Sequence, residues 1–150
     1  MLNVDVLYLE KNNRSTNIVY SNNKITIEQT IPNILNEACL RSLSTLEGRI
    51  KATKQVYKIN KFVPVYISDQ IIMQPLYSNR SWQQIYINIC NVKKISKSNT
   101  GTIIMFSNNK TLIVDISITR IKQYFKKCLK IKNQFNNYER GLIYYGKNEY

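Results

Sequence analysis

The chain has 150 residues, with 22 Lys and Arg against nine Asp and Glu, for a formal charge of +13. This length suits one domain with a real interior, and the charge points to an acidic partner, either a nucleic acid or an anionic membrane face. There is no histidine, the four glycines are dispersed and the acids stand singly, so no triad, close carboxylate pair or phosphate-cradling loop can be written. An enzyme, a cofactor and a metal site are therefore not expected.

Met1-Leu2-Asn3-Val4-Asp5 lacks the basic stretch and apolar core of a secretory signal. No segment approaches the ~20 apolar residues of a spanning helix, so no membrane partner of that kind is expected. Cys39, Cys90 and Cys128 are odd in number and far apart, which suits packed thiols in a reducing cytoplasm.

In chain order, Val4–Leu9 reads as a strand, and a hairpin follows from Ile18-Val19-Tyr20 to Ile25-Thr26-Ile27 about Ser21-Asn22-Asn23-Lys24. Pro32-Asn33 suits the first turn of a helix. Its apolar face runs through Ile34, Leu35, Ala38, Cys39, Leu43, Leu46 and Ile50, with an interruption at residues 42–45. Ser44-x-x-Glu47 has the form of a capping box where a helix restarts. Phe62–Ile67 reads as an edge strand because Pro64 cannot serve a central ladder. Asp69-Gln70 turns it into Ile71-Ile72-Met73, and Pro75–Ser81 is loop up to Trp82.

Ile85–Val92 is the next strand candidate. Residues 102–106 and 111–116 form an apolar hairpin about Ser107-Asn108-Asn109-Lys110, where Asn tolerates a positive φ. Both faces of this hairpin are apolar, as an intrachain core or a dimer seam would require. Ser117 is an N-cap candidate for a helix whose buried face is Ile121, Tyr124, Phe125, Cys128 and Ile131. Trp82, Tyr86, Phe106 and Phe125 are expected in the core.

The tetrapeptide Ser-Asn-Asn-Lys occurs twice with matching flanks, each time after a strand and before a helix. Two readings are compatible with this: a strand–hairpin–helix repeat over residues 3–40 and 89–126, or chance in a chain rich in Ser, Asn and Lys in which Asn favours turns anyway. The class is α+β: one antiparallel β-rich domain over residues 1–150, with a C-terminal amphipathic helix and a short tail over 138–150.

Two basic sets are candidate nucleic-acid contacts. One is Arg41, Arg49, Lys51, Lys54, Lys58 and Lys61. The other is Arg120, Lys122, Lys126, Lys127 and Lys130, on the arc opposite the apolar face of the last helix. Phosphate contact and an ordinary solvated face are both compatible with these positions.

The stretch from Phe106-Ser107-Asn108-Asn109-Lys110-Thr111-Leu112 to Ile116-Ser117, with the helix after it, resembles the C-terminal core of the competence transcription factor (ComK) family. Tyr86-Ile87-Asn88, Pro64-Val65, Gln70-Ile71-Ile72-Met73-x-Pro75, and Cys39, Ser44, Gly48 and Arg49 are similar to further blocks of that family. The likeness runs over roughly residues 36–135. It departs at Arg41-Ser42-Leu43, where the family has two aromatics and a glycine, at Leu46, at Asn109 and in the shortened tail.

The resemblance implies a DNA-binding activator of competence (DNA-uptake) genes. It would bind double-stranded AT-rich promoter boxes through the minor groove and phosphates, as a homodimer or higher homo-oligomer. Arg49 aligns with the family's Gly-Arg, and arginine suits a narrow groove, so it is the foremost candidate contact. The resemblance also implies a Clp-protease adaptor as a partner, from which the short tail departs. The alternative is a non-catalytic basic module that binds RNA or a partner protein without DNA sequence specificity.

Overall fold

The structure, a computed structural model, describes the backbone of residues 1–148 and the side chains of residues 1–137. The tail expected over residues 138–150 lies outside the residues whose side chains are described. The fold is α+β, as expected. Strands β1 (Val6–Asn12), β2 (Ser15–Tyr20) and β3 (Lys24–Ile27) lead into helices α1 (Ile31–Arg41) and α2 (Leu46–Tyr57). Strands β4 (Val65–Ser68), β5 (Ile71–Pro75) and β6 (Ile85–Asn88) follow, then β7 (Val92–Lys97), β8 (Thr102–Phe106), β9 (Thr111–Val114) and helix α3 (Ile118–Asn148). One sheet has the order β3-β2-β1-β6-β5-β4 and the other β7-β8-β9, with antiparallel pairing throughout.

The six-stranded sheet is covered on both faces. Val6, Leu9 and Ile18 face α1, where Ile34, Leu35 and Cys39 are buried. Leu7 and Val19 face the second sheet and α3, meeting Ile104, Phe106, Ile121 and Tyr124. A bulge between Val6 and Tyr8 sends Leu7 and Tyr8 to the same side, and Tyr8 stacks on Phe106 with ring centroids 5.7 Å apart. Strand β5 is buried along its whole length, the pattern of a strand with cover on both faces.

Buried polar groups are tied off as a dry interior requires. Asn88 donates to Val6 O and Gln70 O at 3.2 and 3.1 Å, and its Oδ1 accepts from Ile72 N at 3.0 Å. That one amide joins β1, the β4–β5 turn and β5. Gln74 donates to Phe62 O and accepts from Cys128 Sγ at 3.1 Å, which fixes α3 to the sheet.

The helices begin where short polar side chains accept from their first turns. Thr30 accepts from Asn33 N at 3.3 Å to cap α1, with Pro32 in the first turn. The cap of α2 is Thr45, which accepts from Gly48 N at 3.0 Å. It stands one residue after the expected Ser44, because Ser44 instead closes the end of α1. The interruption falls at residues 42–45, as the sequence suggests. Ser117 Oγ accepts from Arg120 N at 3.3 Å at the start of α3.

The two strand–hairpin–helix segments share the register of their first ladder. Val6 faces Tyr20 and Tyr8 faces Val19; 86 residues on, Val92 faces Phe106 and Lys94 faces Met105, with the bulge at the same step. Thr16 Oγ1 donates to Gln29 O and Thr102 Oγ1 to Ile116 O, both at 2.7 Å. The second turn is one residue longer: Tyr20 N donates to Asn23 O, whereas Phe106 N donates to Lys110 O. The strand expected at Ile85–Val92 is divided. Its first half is β6 in the large sheet, a 3-10 turn follows at Ile89–Asn91, and β7 opens only at Val92.

Candidate nucleic-acid interface

Ten of the eleven expected basic residues are exposed; Arg49 is half-buried. On α3, Lys122, Lys126, Lys127 and Lys130 are exposed, while Ile121, Tyr124, Cys128 and Ile131 are buried against the sheets. At 100° per residue the basic arc lies opposite the apolar one. Arg120 is exposed at the helix start.

The other set is not brought into one patch with α3. Arg49, Ala52, Thr53, Val56 and Tyr57 of α2 face Ile131, Gln134 and Phe135 of α3 across an open cleft of about 590 Å³. By the same helical spacing Lys51, Lys54 and Lys58 lie on the arc of α2 turned away from that cleft. Lys58 ends α2 in the left-handed conformation at φ 59°. Lys61 is on the loop before β4. Arg41 stands exposed at the far end of α1, one turn after Glu37.

Arg49 is largely occupied by the chain itself. Its Nε donates to Ser44 Oγ at 2.7 Å, and its Nη1 donates to the carbonyls of Tyr66 and, at 3.3 Å, of Ile67. It fastens α2 to edge strand β4. The resemblance block Ser44, Gly48 and Arg49 is thereby one device, in which Ser44 closes α1 and also receives the guanidinium. Gly48 follows in the same first turn.

Two further clusters stand at opposite ends of the strands, and neither was expected from sequence. At one end Trp82 is 82 % exposed on the β5–β6 loop, which corrects its expected place in the core. Gln84 draws that loop shut through Tyr77 and Ser78, leaving the indole outside beside Lys11, whose Nζ donates to Ser81 O. Tyr86 and Phe106 are buried and Phe125 half-buried, as expected. At the other end the β2–β3 and β8–β9 turns meet: Asn108 Nδ2 donates to Ser21 O at 2.8 Å. Lys24, Lys93 and Lys110 are exposed there, and Lys93 Nζ donates to Asn109 Oδ1 at 3.0 Å. The repeated tetrapeptide was the available signal, but hydrophobic periodicity does not show that two distant turns touch.

The thiols are poorly suited to nucleophilic work. Burial raises Cys39, Cys90 and Cys128 above the ordinary thiol range, most strongly Cys128. Burial, then the hydrogen bond to Asp115 at 2.5 Å, raises Tyr77 as well. Among the described residues no group of three or more His, Cys, Asp or Glu could hold a metal ion, and no helix is long and apolar enough to cross a membrane. The surface chemistry on offer is cations, amides and one exposed indole.

A family model described as ComK protein matches residues 3–139. No curated protein and no solved structure matches the chain.

Proposed function

Because the chain belongs to the ComK family, a family of competence transcription factors, we propose that it activates competence genes by binding AT-rich promoter boxes. Membership over residues 3–139 is the observation that carries this reading, and the charge of +13 agrees with it in kind. The narrow minor groove of A-tracts concentrates negative potential, which draws Lys and Arg towards it and distinguishes A·T runs by shape. The exposed lysines of α3 would add phosphate contacts that hold the protein on the duplex without reading sequence. Two boxes on one promoter call for two copies of the chain, a homodimer or higher assembly acting in the cytoplasm at the nucleoid.

The test is fluorescence anisotropy at ~150 mM salt with two labelled duplexes, one with paired A-tract and T-tract boxes and one GC-rich. The expected result is cooperative binding with a clear preference for the box duplex. Equal, steeply salt-dependent binding to both, and to folded RNA, would replace this reading with a basic module lacking DNA specificity.

A further inference from the structure

The β2–β3 and β8–β9 turns carry the same four residues, Ser21-Asn22-Asn23-Lys24 and Ser107-Asn108-Asn109-Lys110, and the fold sets them against each other. Part of this composition is structural. Asn109 adopts φ 69°, a left-handed conformation that asparagine tolerates better than most residues. Asn108 is consumed on both sides: its amide holds Ser21 O, and its Oδ1 accepts from Lys110 N at 3.0 Å.

The first turn has no such need. Asn22 and Asn23 are not among the residues at positive φ, so the backbone does not call for asparagine at either position. Both are exposed, and neither side-chain amide has a hydrogen-bond partner among the described residues. Lys24 and Lys110 flank them in solvent, and Lys93 is held at the rim by Asn109. The result is a blunt tip with unspent amide donors in the middle and three ammonium groups around them.

We propose that these paired turns are the element seated on the DNA minor groove, with Asn22 and Asn23 reading A·T pairs and Lys24, Lys93 and Lys110 contacting the bordering phosphates. This rests on the DNA-binding reading above and names the part of the molecule that carries it. What enters is the asparagine side chains: a minor groove about 6 Å wide takes a side chain, while the hairpin strands, about 4.8 Å apart between their axes, stay at its rim. The chemistry permits such entry. The floor of the groove at A·T pairs shows only acceptors, adenine N3 and thymine O2, to which an asparagine amide donates. A G·C pair puts the guanine amino group in the way.

The test compares N22A/N23A and K24Q/K110Q with the wild-type chain in the two-duplex anisotropy assay, with thermal unfolding as a check of the fold. All four side chains are exposed, so unchanged melting is expected. N22A/N23A is expected to weaken binding to the box duplex roughly tenfold or more while leaving the GC-rich duplex unchanged. K24Q/K110Q is expected to weaken both and to flatten the slope of log K against log salt by roughly 2. If the wild-type chain prefers boxes and both variants match it in affinity and slope, the turns are not the reading element. A wild-type chain that binds neither duplex overturns the DNA reading itself and the turn assignment with it.

Discussion

Leu43→Gly should stabilise the protein, although it removes a large apolar side chain. Leu43 follows the C-cap Ser42 of α1 and holds φ at 61°. The hydrogen bonds around it are those of a Schellman closure: Ser44 N donates to Cys39 O at 3.1 Å and Leu43 N to Leu40 O at 3.0 Å. An L residue in this conformation carries roughly 1–2 kcal/mol of strain between Cβ and the carbonyl. The leucine side chain is 96 % exposed, so truncating it forfeits almost no burial. Glycine gives back roughly 0.5–1 kcal/mol through the greater freedom of the unfolded chain. The net gain is about 0.5–1 kcal/mol, or roughly 1–4 °C in Tm for a chain of this size. Differential scanning calorimetry of wild type, Leu43→Gly and Leu43→Ala would read it. Alanine keeps the offending Cβ and should gain nothing. If glycine does not raise Tm, or alanine raises it as much, strain at this turn is not the cause.

Gly101→Ala should be strongly destabilising, because a Cβ there would lie 2.0 Å from Val114 O and 2.9 Å from Asp115 Cα and Ile116 N. Backbone cannot yield as a side-chain end does, so a loss of about 3 kcal/mol or more is expected in urea unfolding, and a neutral result would contradict the close packing of residue 101 on β9. Arg49→Ala should lower stability by about 1–3 kcal/mol, and lysine should not restore it, since Arg49 serves Ser44, Tyr66 and Ile67 at once. An Arg49→Ala protein that melts like wild type but loses box binding would instead return Arg49 to the groove. Thiol labelling at pH 8 should modify half-buried Cys90 first, and Cys39 and Cys128 only on unfolding. Burial raises the Cys90 pKa, so its native-state labelling should accelerate as pH rises further. Rapid labelling of all three in the native protein would count against the buried placement.

Where the signal is local, the sequence was a good guide to the fold. The 102–116 hairpin and the basic arc of α3 are local patterns, set by turn chemistry and by periodicity, whereas the edge strand expected over 62–67 opens only at Val65, with Pro64 outside it. What escaped depends on contacts far apart in the chain. Ile85–Val92 is continuous in composition, but the Asn88 amide binds Val6, Gln70 and Ile72, and the chain breaks into a 3-10 turn there. Trp82 reads as core by residue type and lies outside because Gln84 closes its loop beneath it. Arg49 stands out as a cation in a basic run, yet its guanidinium bonds to strand β4 across 17 and 18 residues of sequence. The meeting of the two Ser-Asn-Asn-Lys turns joins residues 87 apart, beyond the reach of any local pattern.

The most direct measurement replaces each A·T pair of the box duplex with inosine·cytosine and repeats the binding titration. Inosine lacks the amino group of guanine, so an I·C pair keeps an A·T-like minor groove while its major groove resembles that of G·C. Minor-groove reading requires the I·C duplex to bind within about threefold of the A·T duplex and well above the GC-rich one, since a loss of contact at even one base pair costs more than that. Affinity for the I·C duplex that falls to the GC-rich level would mean that the protein reads the major groove, and would contradict minor-groove reading by the paired turns.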